Sequence, residues 1–213
     1  MITPSRFYES LPSIARELFL KWGDFLWNDV TFNMPDSKLH AMGHCERVLF
    51  HALAMGVLEI GYDEVEALEI LAHASVFHDT RRQDEYQDVG HGARAAVYYD
   101  DYCRQSDGTV TFHPEAAYLM RYHDLDDNIG REAIRKGFPD SYERVEKLYE
   151  IFKDADALDR WRLGRWGLDV KYLRTDSARS LVDTARDLVN ATMDPAVVAY
   201  YDRLIDDMMH NRQ

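Results

Sequence analysis

The chain has 213 residues, of which 46% are hydrophobic, and a formal net charge of −13. That hydrophobic fraction is enough for a sizeable core, so the composition excludes a disordered chain and suits a single domain over residues 1–213. The acidic balance argues against general binding to nucleic acids or to anionic membranes, because both need clustered Lys and Arg side chains.

The spacing of apolar residues predicts helices in the first part of the chain. An amphipathic helix within residues 5–30 is predicted by apolar side chains that recur every three or four positions: Phe7, Leu11, Ile14, Leu18 and Trp22. Residues 33–38 interrupt this pattern, and Asp36 or Ser37 is a candidate cap for the next helix. We expect Gly61 to end that second helix.

The middle and the end of the chain show the same helical period. A buried helix is predicted by "EVEALEILAHASVF", which is apolar on most sides toward its end. Two more helices are predicted by "GHGARAAVYYDDYC" and "HPEAAYLMRYH". We interpret "DNIGREAIRKGFPDS" as a polar connection before a helix that runs from Tyr142 to about Arg160, and we expect amphipathic helices within residues 177–210. No alternating pattern indicates a strand, so the predicted fold class is all-α.

Histidines and aspartates lie on or beside the apolar faces of five predicted helices. They are His44, His78 with Asp79, His91, His123 and Asp156. A carboxylate in a helical core is costly unless a positive charge meets it, and a divalent cation meets that need. Imidazole and carboxylate are ligands that Mn, Fe, Co, Ni and Zn accept. The set as a whole therefore predicts a site for a divalent transition metal.

A single histidine on an apolar face is more often a core residue that bonds to the backbone, so only the whole set favours a metal. Further histidines lack a matched carboxylate or lie near a helix start, and we interpret them as structural: His40, His51, His73 and His113.

The residues that favour a metal resemble the HD-domain superfamily of metal-dependent phosphohydrolases. The order His44, then His78-Asp79, then Asp156 matches that family's ligand pattern. Three local contexts are similar to its ligand helices: "GHCERVLFHALAM", "ILAHASVFHDTRR" and "IFKDADALDRWRLG". In "DADALD" the metal aspartate is matched best by Asp156, with Asp154 or Asp159 as alternatives.

The resemblance covers about residues 37–165 and implies an HD-domain helical bundle with N- and C-terminal helical additions, within residues 5–30 and 177–210. Two further segments, "VGHGARAA" and "LMRYHD", are similar to the extra histidine segments of subfamilies in which five helices carry ligands.

The sequence departs from two subgroups of that family at Arg82. The signalling-nucleotide phosphodiesterases carry "HDIGK" where this chain reads "HDTRR", and the deoxynucleotide 5′-nucleotidases have a glutamate three residues after the HD aspartate. Arg82 occupies both positions. The resemblance therefore implies hydrolysis of a small phosphate ester, a nucleotide or a related metabolite, and does not specify which one.

The resemblance also implies roles for the ligands. One cation is held by four residues: His44, His78, Asp79 and Asp156. It can lower the pKa of a bound water and polarise a phosphoryl oxygen, with Asp79 as the catalytic residue that orients this water or bridges two metals. His91 and His123 then either ligate a second metal or donate to the substrate phosphate.

Four arginines are near the ligands in sequence and can bind phosphate through forked hydrogen bonds: Arg81, Arg82, Arg94 and Arg160. A solvated or ion-paired surface arginine is an equal alternative for each of them.

The expected cofactor is one or two ions of Mn, Fe, Co, Ni or Zn, with Mg as an alternative. Two other functions stay open, a two-iron oxygenase on the same fold and a non-catalytic metal-binding module. The expected partner is a small phosphorylated substrate, and the oligomeric state is left open, including a homodimer. We expect a cytoplasmic protein, because no apolar run is long enough to span a bilayer and the opening residues lack a signal-peptide pattern.

Overall fold

The computed structural model describes residues 1–210, with side chains through residue 207. All regular structure in these residues is helical, which confirms the predicted all-α class. Eleven α-helices lie in this part of the chain: α1 (Ser5–Tyr8), α2 (Ser13–Asn28), α3 (Met42–Glu59), α4 (Val65–Phe77), α5 (His91–Gln105), α6 (Pro114–Tyr122), α7 (Asp127–Gly137), α8 (Tyr142–Leu158), α9 (Asp176–Ser180), α10 (Val182–Thr192) and α11 (Pro195–His210). Two short 3₁₀ segments, Asp159–Leu163 and Val170–Tyr172, follow α8.

Helix α4 lies at the centre of the core. Ten of its thirteen residues are buried, because its sequence is apolar on nearly every side. It packs against α2, α3, α6 and α8, and Gly56 lets α3 come close to it. A Cβ atom at Gly56 would lie 2.7 Å from Leu68 and 2.9 Å from Leu71, two residues of α4. The core therefore surrounds the helix that ends at His78 and Asp79.

The terminal helices pack on this core. Phe19, Trp22 and Leu26 of α2 are buried against α3 and α4. At the other end of the chain, α10 contacts α3 and the 3₁₀ segment that follows α8. Helix α11 is joined to the loop after that segment by Asp202, which accepts a 2.5 Å hydrogen bond from the backbone nitrogen of Arg165. None of the helices in the described part of the chain is both long and apolar enough to cross a membrane.

The interpretation of residues 127–141 as a polar connection is wrong over most of its length, because Asp127–Gly137 forms α7. The Asp126 side chain caps this helix by accepting a hydrogen bond from the backbone nitrogen of Asn128, and Ile134 is buried. Gly130 allows close packing here, since a Cβ atom would lie 2.5 Å from the Tyr149 ring. Gly130 thus permits the contact between α7 and α8.

The start of α3 also differs from the prediction, and its end agrees with it. The helix begins at Met42 rather than directly after residue 37. The hydroxyl of Ser37 accepts hydrogen bonds from the backbone nitrogens of Leu39 and His40, which forms a turn before the helix. Gly61 follows the end of α3 with a φ of 100°, as expected for a glycine that terminates a helix.

Helices α5 and α6 approach closely at Gly92. A Cβ atom at this position would clash with the carbonyl oxygen of Met120 and lie 2.8 Å from Nδ1 of His123. Met120 lies in the last turn of α6, and His123 caps that helix. The close approach of α5 therefore fixes the position of the His123 ring.

We predict that Gly92→Ala destabilises the fold by about 1–3 kcal/mol, the usual cost of inserting a methyl group into a packed contact. Urea denaturation followed by circular dichroism measures this. The control is Gly43→Ala, where the added Cβ meets only the end of the Ile2 side chain at 3.0 Å and, at 3.6 Å, the guanidinium of Arg47. An equal stability for Gly92→Ala and the native chain would contradict the close approach.

Candidate metal centre

Asp79 lies at the end of the most buried helix. Helix α4 ends at Phe77, and His78 caps it with helical backbone angles before the chain turns. The Thr80 hydroxyl holds that turn by donating a 2.6 Å hydrogen bond to the carbonyl of Phe77. As a result both His78 and Asp79 point into the protein, with 0% and 4% of their surface exposed.

The Oδ1 oxygen of Asp79 faces two histidines from other helices. Nε2 of His91, at the start of α5, lies 2.9 Å from this oxygen. Nε2 of His123, at the end of α6, lies 3.6 Å from it. The two Nε2 atoms are 2.9 Å apart. These three atoms therefore form one compact group.

The Oδ2 oxygen of Asp79 faces a second group. Nε2 of His44, in the first turn of α3, lies 3.4 Å from Oδ2. The same nitrogen is 3.1 Å from Nε2 of His78 and 3.3 Å from Oδ1 of Asp156 on α8. Nδ1 of His40, in the turn before α3, is 3.1 Å from Oδ2. The Asp79 carboxylate thus lies between two sets of ligand atoms.

Each of the four central imidazoles is oriented by its own Nδ1. Three of them donate from Nδ1 to the backbone carbonyl three residues earlier: His78 to Ser75 at 2.9 Å, His91 to Asp88 at 2.6 Å and His123 to Met120 at 2.7 Å. His44 instead donates from Nδ1 to Oδ2 of Asp159 at 2.7 Å. A carbonyl can only accept, so the proton is on Nδ1 and the lone pair of each neutral ring is on Nε2.

This arrangement could hold a cation at its centre. The Nε2 lone pairs of His91 and His123 face each other and the ionised Asp79, and those of His44 and His78 face each other beside Asp156. Acceptors at such distances repel unless a positive charge lies among them. Metal-binding histidines commonly donate their other nitrogen to a carbonyl or carboxylate, as these four do.

The protonation states also suit metal ligands. Burial lowers the pKa of His78 to about 3, so this ring is neutral at physiological pH. Burial opposes charge on Asp79, but the surrounding histidines, His78 foremost, hold its pKa well below the usual range. Burial likewise opposes charge on Asp156, whose pKa is held well below the usual range mainly by His44. His78 therefore offers a neutral imidazole, and the two aspartates offer ionised carboxylates. Burial opposes charge on His123, but Asp79 and Asp156 outweigh it and raise the pKa of this ring.

Ligand atoms within 4.8 Å of one another occur in three overlapping sets among the described residues: His40, His44 and Asp79; His44, His78 and Asp156; His78, Asp79 and His123. Five of the six residues predicted as metal ligands lie in these sets, together with His40, and His91 joins them with its Nε2 2.9 Å from Oδ1 of Asp79. The donor atoms, imidazole nitrogens and carboxylate oxygens, fit a divalent metal. Asp156 is the most exposed of the six predicted ligands, with 29% of its side chain accessible, so the cluster opens on its side.

Of the three candidate aspartates on α8 and its end, only Asp156 points its carboxylate at the Nε2 atoms. Asp154 accepts hydrogen bonds from Arg174 and Thr175 on the other side of the helix. Asp159 is buried and accepts hydrogen bonds from Nδ1 of His44 at 2.7 Å and from Nε of Arg47 at 2.5 Å. Asp159 therefore orients the ring of His44, a candidate ligand, and the sequence did not reveal this role.

His40 was interpreted as structural, but it belongs to the cluster. It is buried, its Nδ1 donates to Asp79, and its Nε2 is 3.9 Å from Oε2 of Glu85. The turn formed by the Ser37 hydroxyl brings His40 to this place. The only signal in the sequence was the position of His40 four residues before His44, on the same face of the helix predicted to begin after residue 37.

The four predicted substrate-binding arginines have different surroundings. Arg82 is buried beside the cluster, with Nη1 3.4 Å from both ring nitrogens of His91 and 3.9 Å from Oδ1 of Asp79. Arg81 points the other way, where it donates to the carbonyl of Thr31 and lies over the Tyr98 ring.

The other two arginines lie near the rim of the cluster. Arg94 donates to both carboxylate oxygens of Asp88 at 2.6 Å, so its charge is already paired. Arg160 is largely exposed, and its Nε donates to the carbonyl of Gly167 at 2.8 Å. Of the four, Arg82 and Arg160 therefore stay the better candidates for contact with a substrate.

No protein-family model, curated protein or solved structure matches this chain. The resemblance to the HD-domain superfamily thus stays a prediction from the sequence motifs, and the geometry of the cluster is the basis for a functional proposal.

We predict that exchanging both His78 and Asp79 for alanine releases the bound metal and leaves a helical protein, because the mutation removes the central ligand and one imidazole. Metal content by plasma mass spectrometry, with circular dichroism for helicity, measures this. His113→Ala is the matched control, since His113 lies outside the cluster and packs on His73. Stoichiometric metal in the double variant would show that the site is elsewhere.

His51 provides a separate prediction about pH. It is fully buried in α3, and neither ring nitrogen has a hydrogen-bond partner among the described residues. Burial lowers its pKa to about 4. Between pH 6.5 and 4 the unfolded chain therefore binds a proton at His51 that the folded chain does not, so this residue makes the protein less stable as the pH falls.

The expected contribution of His51 is a loss of about 1.4 kcal/mol per pH unit across that window, about 3 kcal/mol in all. Urea denaturation of the native chain and of His51→Leu at several pH values measures it as the difference between the two curves. The difference should be constant above pH 6.5 and grow in favour of the variant below it. Parallel curves would mean that His51 is protonated equally in both states.

Proposed function

We propose that this chain is a metal-dependent phosphohydrolase of the HD type that hydrolyses a small phosphate ester, a nucleotide or a related metabolite. The observation that carries the proposal is the Asp79 carboxylate, which lies between two groups of imidazole nitrogens: Nε2 of His91 is 2.9 Å from Oδ1, and Nε2 of His44 is 3.4 Å from Oδ2. The order of the ligands along the chain, with its resemblance to the HD motif, supports the same assignment.

Two ions suit the two oxygens of Asp79. Oδ1 lies with His91 and His123, and Oδ2 lies with His44, which in turn contacts His78 and Asp156. Divalent cations in such a paired site lower the pKa of a bound water and neutralise charge on the oxygens of a phosphate undergoing in-line displacement. In this proposal Asp79 would be a ligand of both ions.

The residues around the ligands keep them in place. Asp159 fixes the ring of His44, and the buried guanidinium of Arg47 fixes Asp159 through Nε at 2.5 Å and Nη2 at 3.0 Å. Arg82 lies against His91 and places a positive charge next to Asp79. This charge can also receive a phosphate oxygen, because guanidinium donors bind phosphate well.

The function is tested by a screen of nucleotides and sugar phosphates with protein loaded with Mn, Co, Ni, Fe or Mg. We expect metal-dependent release of phosphate that a chelator abolishes and that Asp79→Asn loses, while His113→Ala retains it. No turnover under any metal would favour a non-catalytic metal-binding module. Product formation that requires iron and oxygen would instead indicate a two-iron oxygenase.

The number of metals gives a further prediction. We expect two tightly bound ions in the native chain and one in His91→Ala and in His123→Ala, because each variant removes an imidazole from the Oδ1 group. Native mass spectrometry counts the ions, and His113→Ala should keep both. A count of one in the native chain and in both variants, with activity lost, would assign the two histidines to the substrate instead.

A further inference from the structure

Arg162 is a buried cation beside the candidate metal centre, and the sequence motifs assign it no role. It lies in the 3₁₀ segment Asp159–Leu163, directly after the helix that carries Asp156. Only 5% of its side chain is exposed, and its Nη1 is 3.6 Å from Oδ2 of Asp159. That separation allows electrostatic attraction but exceeds the length of a hydrogen bond.

Two donor atoms of Arg162, Nε and Nη1, have no hydrogen-bond acceptor within the described residues. The carboxylate of Asp159 is already engaged by Arg47 at both oxygens and by His44 at Oδ2. A buried guanidinium whose donors are unsatisfied is costly, whereas buried polar groups in folded proteins are almost always paired.

Arg162 follows the open side of the cluster closely along the chain. The 3₁₀ segment that carries it comes directly after α8, the helix of Asp156, and also carries Arg160. Asp156 is the most exposed of the predicted ligands. The positive charges of Arg160 and Arg162 together favour an anion on this side of the cluster.

We propose that Arg162 binds the phosphate group of the substrate through the N–H donors that the protein leaves unpaired. Phosphate oxygens satisfy guanidinium donors by charge-assisted hydrogen bonds, and a planar guanidinium can contact two of them at once. This inference rests on the proposed function for its substrate, but the anion site itself can be measured without turnover.

The test uses inorganic phosphate as the probe and isothermal titration calorimetry of the full chain, loaded with a single metal element such as Mn. Arg162→Met should lower the phosphate affinity at least tenfold and leave the metal content unchanged. Its thermal midpoint should stay the same or rise, since the variant removes a buried charge that lacks partners. Arg104→Met is the control, because Arg104 is exposed on α5 and pairs with Asp100 and Asp101. Its affinity should match that of the native chain.

A second variant and a second measurement test the inference if Arg162→Met does not fold. Arg162→Lys keeps the positive charge but loses the planar, two-pronged set of donors, so it should recover only part of the phosphate affinity. In the native chain the Nε–Hε signal of Arg162 in a nuclear magnetic resonance spectrum, assigned by its absence from Arg162→Lys, should shift when phosphate is added.

Phosphate affinity that is unchanged in Arg162→Met, or a native Nε–Hε signal that does not move, would overturn the inference. A lower thermal midpoint together with unchanged affinity would instead assign Arg162 to the support of Asp159. These outcomes are separate from the proposed function. Ester hydrolysis that survives in Arg162→Met with an unchanged KM keeps the function and rejects the residue, whereas phosphate binding without hydrolysis does the reverse.

Discussion

The buried carboxylate of Asp79 is the constraint on which the other features of the site depend. It is carried into the interior by the end of α4, a helix whose residues are nearly all buried, and it is 4% exposed. An isolated ionised carboxylate in such a place is unfavourable by many kcal/mol, so its surroundings must supply positive charge. The ends or first turns of α3, α5 and α6 bring three histidines to its two oxygens, and α4 itself supplies His78.

Local structure orients these histidines before any metal is considered. For His78, His91 and His123 the partner of Nδ1 is the carbonyl three residues earlier, at a helix end or in a turn. His44 lies inside α3, where the nearby carbonyls are used by the helix, and a buried aspartate takes their place. The Arg47–Asp159 pair thus orients the one central imidazole that the backbone does not orient.

The sequence predicted most helices and the six residues that the structure brings into one cluster, since helical period and the placement of polar groups on apolar faces are local features. It failed where a residue acts through a distant partner. The segment after α6 was interpreted as a polar connection, but Gly130 allows it to form α7 and pack on Tyr149. His40 looked like a residue at a helix start, and a turn brings it to Asp79, 39 residues away. The sequence does not distinguish the surroundings of the two adjacent arginines. In the structure Arg81 donates to the carbonyl of Thr31, whereas Nη1 of Arg82 lies 3.4 Å from Nδ1 of His91.

The most direct test of the account is anomalous diffraction from crystals of the protein grown with Mn²⁺, recorded where manganese scatters anomalously. We expect two peaks, one on each side of the Asp79 carboxylate: the first among the Nε2 atoms of His91 and His123, the second among those of His44 and His78 and the carboxylate of Asp156. A map with no peak in contact with Asp79 would contradict the claim that this carboxylate is buried in order to hold metal.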